Sequence, residues 1–218
     1  MADPFISAAV IADSVSRDGV RITTLEIVFP RIILAEVNTH RLLSKSSASS
    51  RAIPVAKRIA AMDAGLVYKP DFEGAVANKP GMQSTDALAD DMIGPAKMIW
   101  DNALMEALEH ARQLNSTGCH KQFVNRLLEP FMYQKTVVTA TEWDNFFKLR
   151  DHGDAEPSFQ ALAGKIWEAL VASVPQPALV VDGMCVHLPY YDVKIDGVIK
   201  PFTDATGPEQ ALEGAFLV

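Results

Sequence analysis

Several glycine-based nucleotide-binding motifs are missing from this sequence. It contains 12 glycines but no Gly-x-Gly, so it has neither the dinucleotide-binding fingerprint nor a kinase-type glycine loop. It also has no Gly-x4-Gly-Lys-Ser/Thr, which excludes a standard P-loop. No Gly-x-Ser-x-Gly elbow supports a Ser-His-Asp triad, although composition alone leaves such a triad open. A nucleotide or cofactor would therefore have to be held by another kind of site.

Cysteine is scarce as well. Only Cys119 and Cys185 are present, which is too few for a disulfide framework. Each has a histidine close by in sequence, His120 and His187, but neither pair has the repeated spacing that marks a zinc site. An isolated cysteine is more often a small buried apolar residue than a metal ligand. We therefore predict no metal.

Surplus positive charge and long apolar runs are also absent. The formal net charge is −7, which argues against nucleic-acid binding. No apolar run approaches the length of a membrane span, and the N-terminus lacks the basic start of a signal peptide, so we expect no membrane association and a cytoplasmic location. The 49% hydrophobic and 22% charged residues suit a globular chain, and we predict a single domain over residues 1–218.

The pattern of apolar residues predicts an α+β fold. Residues 6–15 and 21–29 are typical of a β-hairpin around a turn at residues 17–19, and a helix should run from Pro30 to Arg41. Further helices are predicted over residues 54–62, 84–114, 120–128, 143–150 and 155–173, with a strand near residues 137–141 and short strands over residues 179–198. Together these elements predict a small antiparallel sheet packed by several long helices.

The longest predicted helix has a clear apolar stripe. Ser84 or Thr85 is the expected N-cap of this helix. Apolar residues then recur at steps of three and four, at Ala96, Ile99, Trp100, Ala103, Leu104, Ala107, Leu108 and Ala111. This spacing is typical of a packed helix, and we predict that the stripe lies in the core.

A basic, hydroxyl-rich stretch over residues 39–51 is the first candidate site. No carboxylate occurs between residues 37 and 62, although that window holds five of the chain's 20 Lys and Arg residues. Guanidinium groups, hydroxyls and loop N–H groups are the donors that a phosphate monoester requires. We predict a loop that binds a phosphate, although a solvated turn with a basic face would show the same charge run.

The spacing of this stretch resembles the signature of the flavin-dependent thymidylate synthases, the ThyX family. The family motif is Arg-His-Arg, two residues, Ser, one residue, Asn, two residues, Ser, one residue, Arg. Its His, second Arg, two Ser and last Arg are matched here by His40, Arg41, Ser44, Ser49 and Arg51. Thr39 and Ser46 stand where the family has its first Arg and its Asn.

Two later blocks extend the resemblance. A family helix carries an Arg followed by two aliphatic residues, one residue and Pro, and Arg126 occupies that place. The family's Asn, two apolar residues, one variable residue and Leu-Arg is similar to residues 145–150, which begin with Asn145 and end with Arg150. From the residues alone, Arg126 could simply pair with Glu129, and Arg150 could simply complement a helix dipole.

The resemblance implies a specific reaction: the C5 methylation of dUMP to dTMP with FAD as cofactor, and methylenetetrahydrofolate and NADPH as co-substrates. It also implies a homotetramer. Arg150 would be the catalytic residue that steadies charge on the pyrimidine. The implied FAD-binding residues are His40, Arg41, Ser44 and Asn145, and the implied substrate-binding residues are Glu36, Ser47, Ser49, Ser50, Arg51 and Arg126.

Substitutions within the motif region leave the substrate open. Glu36 occupies a place that the family usually fills with Gln, and Ser47 one that is usually acidic. A related enzyme that acts on another pyrimidine nucleotide, such as dCMP, or that transfers a hydroxymethyl group is therefore an alternative. A non-catalytic nucleotide-binding module with the same basic loop is another.

Overall fold

The computed structural model describes residues 3–78, 86–181, 183–193 and 199–201. In chain order the elements are β1 (Ser7–Val15), β2 (Arg21–Pro30), a 3₁₀ turn (Arg31–Ile33), α1 (Leu34–Thr39), β3 (Ser44–Ser47), α2 (Val55–Asp63), α3 (Asp90–Ser116), α4 (Lys121–Leu127), a second 3₁₀ turn (Glu129–Phe131), β4 (Tyr133–Ala140), α5 (Asp144–Arg150), α6 (Pro157–Ala172), β5 (Gln176–Pro177), β6 (Leu179–Val181), β7 (Met184–Val186), β8 (Tyr191–Val193) and β9 (Ile199–Pro201). Across these ranges, no helix combines the length and hydropathy needed to cross a bilayer.

The predicted α+β class is confirmed. Five strands form one sheet in the order β3-β4-β2-β1-β5, and the two short hairpins β6–β7 and β8–β9 pair separately. β1 and β2 form the predicted hairpin, and Gly19 takes a positive φ of 81° in its turn, a conformation that glycine adopts without steric cost. The sheet is antiparallel except at one edge, where β5 pairs parallel with β1 over two residues.

Two hydrophobic clusters hold the helices. β2 lies at the centre of the sheet, and its Leu25, Ile27 and Phe29, which share one face of the strand, are fully buried. α6 packs on this sheet through an apolar stripe that includes Phe159 and Ile166. A second cluster joins α2, α3 and α4 through Val55, Met62, Leu104, Leu108, Val124 and Leu128. The first cluster forms the floor beneath the candidate site.

The structure corrects two predicted elements in the N-terminal half. The helix expected from Pro30 to Arg41 is a 3₁₀ turn followed by α1, which ends at Thr39 with His40 as its C-cap. The serine run, predicted to be a loop, instead begins with the edge strand β3. It pairs with residues 136–139 of β4, and the oxygens Ser47 Oγ and Thr136 Oγ1 lie 2.6 Å apart. Serine side chains compete for the backbone hydrogen bonds of a helix, whereas in β3 the backbone forms its hydrogen bonds with β4.

The longest helix also differs from the prediction. α3 begins at Asp90 after the N-cap Ala89, whereas the predicted caps Ser84 and Thr85 lie outside the described residues. The predicted stripe is buried only in its second half, at Leu104, Leu108 and Ala111. Ile99 is 66% exposed, and Ala103, one turn further along the helix, is exposed as well, whereas Trp100 packs against both clusters. The prediction that the whole stripe lies in the core was therefore wrong.

Candidate active site

A cavity of about 280 Å³ brings together residues from two distant parts of the chain. We call it the Arg150 cavity. Its walls are residues 39–43, which begin at the last residue of α1, together with Glu142 and four residues of α5. Four predicted site residues line it: His40, Arg41, Asn145 and Arg150. The first and last blocks of the family resemblance therefore meet in one place.

Arg150 contacts two other elements from its place in this cavity. It is the last residue of α5, and its Nε–H donates to His40 Nε2 over 2.8 Å. Its guanidinium carbon lies 4.5 Å from the centre of the Phe159 ring, within cation–π distance. Arg150 is therefore more than a cation that complements the end of a helix, because one of its nitrogens and one of its faces are held by other elements.

His40 is buried between aromatic rings. Its ring contacts Phe146 at 5.1 Å and Phe159 at 5.7 Å between centroids, both edge-on. Burial, together with the nearby positive charges of Arg150 and Lys45, lowers the pKa of His40 to about 4. His40 is therefore a neutral imidazole at pH 7.

A second concave region is lined by other residues of α1. We call it the Arg126 groove. It has a volume of about 540 Å³ and is lined by Arg31, Ile32, Leu34, Ala35, Asn38, Arg126, Glu129 and Pro130. Arg126 is exposed, and Glu129 pairs with Arg31 at 3.1 Å rather than with Arg126. The alternative pairing of Arg126 with Glu129 is therefore not formed, and Glu129 instead joins the two 3₁₀ turns.

The loop that carries Arg51 is attached to the helix that carries Arg126. Asn125 is fully buried, and its Nδ2 donates to the carbonyl of Ser50 at 2.6 Å and to that of Ile53 at 2.9 Å. These two bonds flank Arg51, which is exposed. Asn125 therefore fixes the backbone on both sides of Arg51 to α4.

The side chain of Ser50 is buried and lines neither the Arg150 cavity nor the Arg126 groove. It is 7% exposed, and its hydroxyl accepts from Arg31 Nη2 at 3.0 Å and donates to Glu129. Arg31 also donates to Gln134 on β4. The hydroxyl of Ser50, which we expected to bind substrate, is thus occupied by a buried polar network.

The remaining predicted residues line neither the Arg150 cavity nor the Arg126 groove. Ser44, Ser47, Ser49 and Arg51 are exposed on β3 and the loop that follows it, and Glu36 is half-buried on α1. Burial is the main cause that raises the pKa of Glu156, the N-cap of α6. Hydrogen bonds to this carboxylate oppose the shift, and the nearby negative charge of Glu36 adds to it. Glu36 therefore faces the start of α6.

Sequence reasoning missed several residues that build this region. Phe159 carried only the signal of a core helix position, and Asn125, between Val124 and Arg126, matched no motif residue. Lys45 was counted only as a charge, yet its Nζ donates to the carbonyl of Leu43 at 3.0 Å and to that of His40. Among the described residues, no three His, Cys, Asp or Glu side chains form a group that could hold a metal ion.

Comparisons with known proteins identify the family of this chain and solved structures with a similar fold. The family model described as thymidylate synthase complementing protein, Thy1, matches residues 21–176, which is more than two thirds of the chain. The solved structure of the UMP/dUMP methylase PolB from Streptomyces cacaoi bound with 5-Br UMP is similar, with a TM-score of 0.59 and 15% identity over 78% of this chain and 90% of that chain. PolB bound with 5-Br dUMP gives a TM-score of 0.56 and 16% identity over 69% of this chain and 66% of that one. No curated protein matches the sequence closely enough to count as a relative.

Proposed function

Because the chain belongs to the thymidylate synthase complementing protein family, the ThyX family, we propose that it is a flavin-dependent enzyme that methylates C5 of dUMP. The observation that carries this proposal is the meeting of His40, Arg41, Asn145 and Arg150 in the Arg150 cavity. These residues come from two sequence blocks about 100 positions apart, and both blocks resemble the family signature.

Arg150 is the proposed catalytic residue. C5 of uracil is a weak carbon nucleophile, so its attack on a one-carbon unit requires that negative charge on the ring be stabilised. A guanidinium on a rigid support supplies that stabilisation without rearranging during the reaction. When bound, reduced FAD supplies the hydride that takes the transferred carbon from the methylene to the methyl level. We propose methylenetetrahydrofolate as the carbon source and NADPH as the reductant.

The positions of the two cysteines agree with a reaction that uses no enzyme thiol. Cys119 packs against the cluster of α2, α3 and α4, and Cys185 is exposed on β7. Neither lines the Arg150 cavity. A covalent thiol adduct at C6 of the pyrimidine is therefore not part of the proposal.

The donors of the Arg150 cavity fit part of an FAD molecule. Thr39, His40, Arg41 and Asn145 offer hydroxyl, imidazole, guanidinium and amide groups to flavin heteroatoms or to the diphosphate. The volume of about 280 Å³ lies below the usual range for a drug-sized ligand, and FAD is larger than such ligands. One chain would therefore supply only part of the site, which supports the proposal of a homotetramer whose neighbouring chains complete it.

The nucleotide phosphate is proposed to bind Arg126 and Arg51, with Ser49 as a hydroxyl donor. Arg126 and Arg51 are both exposed, and Asn125, next to Arg126, holds the loop backbone on either side of Arg51. We propose that both guanidinium groups bind a single dianion. Ser44, Ser47 and Glu36 stay proposed contacts of flavin or substrate. The cytoplasmic location and the extent of the single domain also stay proposals.

UMP is the second candidate substrate. PolB, whose fold this chain shares, is described as a UMP/dUMP methylase and was solved with both brominated nucleotides. The departures at Glu36 and Ser47 leave room for a different base or sugar. Activity on dUMP, UMP and dCMP should therefore be compared in the same assay, with product masses that separate methyl from hydroxymethyl transfer.

The visible spectrum of the purified protein tests whether flavin is bound, and a separate titration with dUMP tests whether nucleotide is bound. We expect a yellow protein, or a colourless one that quenches FAD fluorescence on titration, and a mass of four chains by light scattering with FAD present. A protein that binds dUMP but does not quench FAD fluorescence would be a non-catalytic nucleotide-binding module and would contradict the proposal. A monomeric mass with FAD bound would contradict the tetramer alone.

A further inference from the structure

The guanidinium of Arg150 makes two contacts within the protein, one through Nε and one through a face of its plane. Its Nε–H donates to His40 Nε2 at 2.8 Å, and its carbon lies 4.5 Å over the ring of Phe159. Phe159 is fully buried in the core, and its backbone N–H donates to the capping carboxylate of Glu156 at 2.8 Å. A ring at the first turn of α6 thus forms a fixed platform under a planar cation.

The contact with Arg150 determines the tautomer of His40. Arginine stays protonated in proteins, so Arg150 Nε can act only as a donor. His40 Nε2 must then present a lone pair, which requires a neutral ring with its proton on Nδ1. The burial of His40 and the nearby charges of Arg150 and Lys45 favour the same neutral form.

His40 is itself held at its backbone and at its ring. It caps the C-terminal end of α1, and Lys45 from β3 donates to its carbonyl. Its ring lies against Phe146 of α5 and Phe159 of α6. Three elements therefore fix the acceptor that meets Arg150.

We propose that His40 is the positioning residue for Arg150, with Nε2 as the acceptor that orients the guanidinium on the ring of Phe159. The inference rests on the proposed function in one respect, since Arg150 is taken to contact the pyrimidine. Within the described residues, neither terminal nitrogen of Arg150 forms a hydrogen bond, so both are available to a planar ligand while Nε is fixed. The Nδ1–H of His40 is likewise available as a donor to flavin or nucleotide.

Two substitutions separate the hydrogen bond from the packing of the ring. His40→Gln keeps an acceptor at about the position of Nε2 but removes the ring, whereas His40→Phe keeps an aromatic ring and removes the acceptor. If His40 positions Arg150, His40→Phe lowers kcat by about 10- to 100-fold at saturating FAD, while KM for the nucleotide changes by less than about threefold. His40→Gln should retain kcat within about fivefold of the parent. His110→Phe, on the exposed surface of α3, is the matched control.

The opposite ranking would overturn the inference. If His40→Phe turns over like the parent and His40→Gln does not, the ring matters and the acceptor does not. If both variants lose bound FAD and recover full kcat when FAD is saturating, His40 is a flavin ligand and not a positioning residue.

A measurement that needs no turnover tests the contact itself. In protein with ¹⁵N-labelled histidine, the His40 ring, assigned by its absence in His40→Gln, should be neutral at pH 7 with its proton on Nδ1. Arg150→Ala should shift the Nε2 resonance. A proton on Nε2 would overturn the inference, even in an active enzyme. If the parent turns over no uridine nucleotide, the proposed function fails, and the tautomer still decides whether His40 holds Arg150.

Discussion

The Arg150 cavity and the Arg126 groove hold their cations in different ways. Arg150 is fixed at Nε by His40 and at one face by Phe159. Arg126 is exposed and, among the described residues, forms no hydrogen bond or ion pair. The other cation of the groove, Arg31, is neutralised by Glu129 and tied to Ser50.

The difference matches two kinds of ligand group. A guanidinium whose orientation is fixed before binding suits a planar ring, because stabilising charge that develops in the reaction depends on preorganised geometry. A mobile guanidinium suits a phosphate dianion, whose charge attracts a cation from many directions and whose oxygens accept in several arrangements. The comparison predicts that Arg150 acts mainly on rate and that Arg126 acts mainly on affinity.

The largest effect is expected at Arg150. Arg150→Ala should lower kcat by about 10²- to 10³-fold, the usual cost of removing one preorganised donor, and should change nucleotide affinity much less. Arg150→Lys should stay impaired, since a point charge does not reproduce the planar fork. The assay is flavin reoxidation with nucleotide and methylenetetrahydrofolate. Turnover of Arg150→Ala within a few-fold of the parent, with unchanged stability, would reduce Arg150 to a helix-end cation.

The next largest effect is expected in the groove. Arg126→Ala and Arg51→Ala should each weaken nucleotide binding by about 1.5–3 kcal/mol, the usual worth of a charge-assisted hydrogen bond. Binding of the nucleoside, which lacks the phosphate, should change little. Titration calorimetry measures both ligands, with Arg17→Ala in the exposed hairpin turn as the matched control. If the parent binds nucleoside and nucleotide equally, these arginines do not hold a phosphate.

A smaller effect is expected at Asn125, which joins the Arg51 loop to α4. Asn125→Ala should lower the free energy of unfolding by about 1–3 kcal/mol, because the carbonyls of Ser50 and Ile53 lose their donor. Nucleotide affinity should fall with it, while binding of FAD should be retained. Urea denaturation at matched protein concentration measures the change, beside Asn115→Ala on exposed α3. Equal stability of the two variants would mean that the loop is fixed by other contacts.

The smallest effect is a change in how stability depends on pH. The folded-state pKa of His40 is lowered to about 4, so below about pH 6.5 the unfolded chain takes up a proton that the folded chain does not. The contribution of His40 to the free energy of unfolding is therefore fully present above about pH 6.5 and is lost as the pH drops toward 4. His40→Gln should lose less stability than the parent over this window, as measured by thermal melts. The same slope in both proteins would mean that His40 titrates normally.

The sequence predicted residues that line the Arg150 cavity, but it did not predict how their side chains are held. Motif spacing identified His40, Asn145 and Arg150, and the structure brings them to one cavity. The support of Arg150 by Phe159 could not be predicted, because an aromatic residue on an apolar helix face looks the same whether or not a cation lies over it. The bond between His40 and Arg150 joins residues 110 positions apart and has no local signal.

The errors have the same physical origin. Residues 44–47 look like a loop by local propensity, and only the pairing with β4 makes them a strand. Ile99 has the spacing of a core residue, but the side of α3 that carries it is exposed while Trp100 beside it packs against both clusters, and helical spacing alone does not give the width of the packed face. Ser50 was expected to face a ligand, and its burial depends on Arg31 and Glu129, which lie 19 and 79 positions away.

Release of tritium from dUMP labelled at C5 tests the central claim most directly. Methylation at C5 replaces the hydrogen on that carbon, so protein loaded with FAD and supplied with NADPH and methylenetetrahydrofolate should release tritium to water. The nucleotide should gain the mass of one methylene unit. Tritium release should fall in Arg150→Ala far more than in Arg17→Ala. A protein that binds FAD and dUMP but releases no tritium from dUMP or UMP under these conditions would contradict the account.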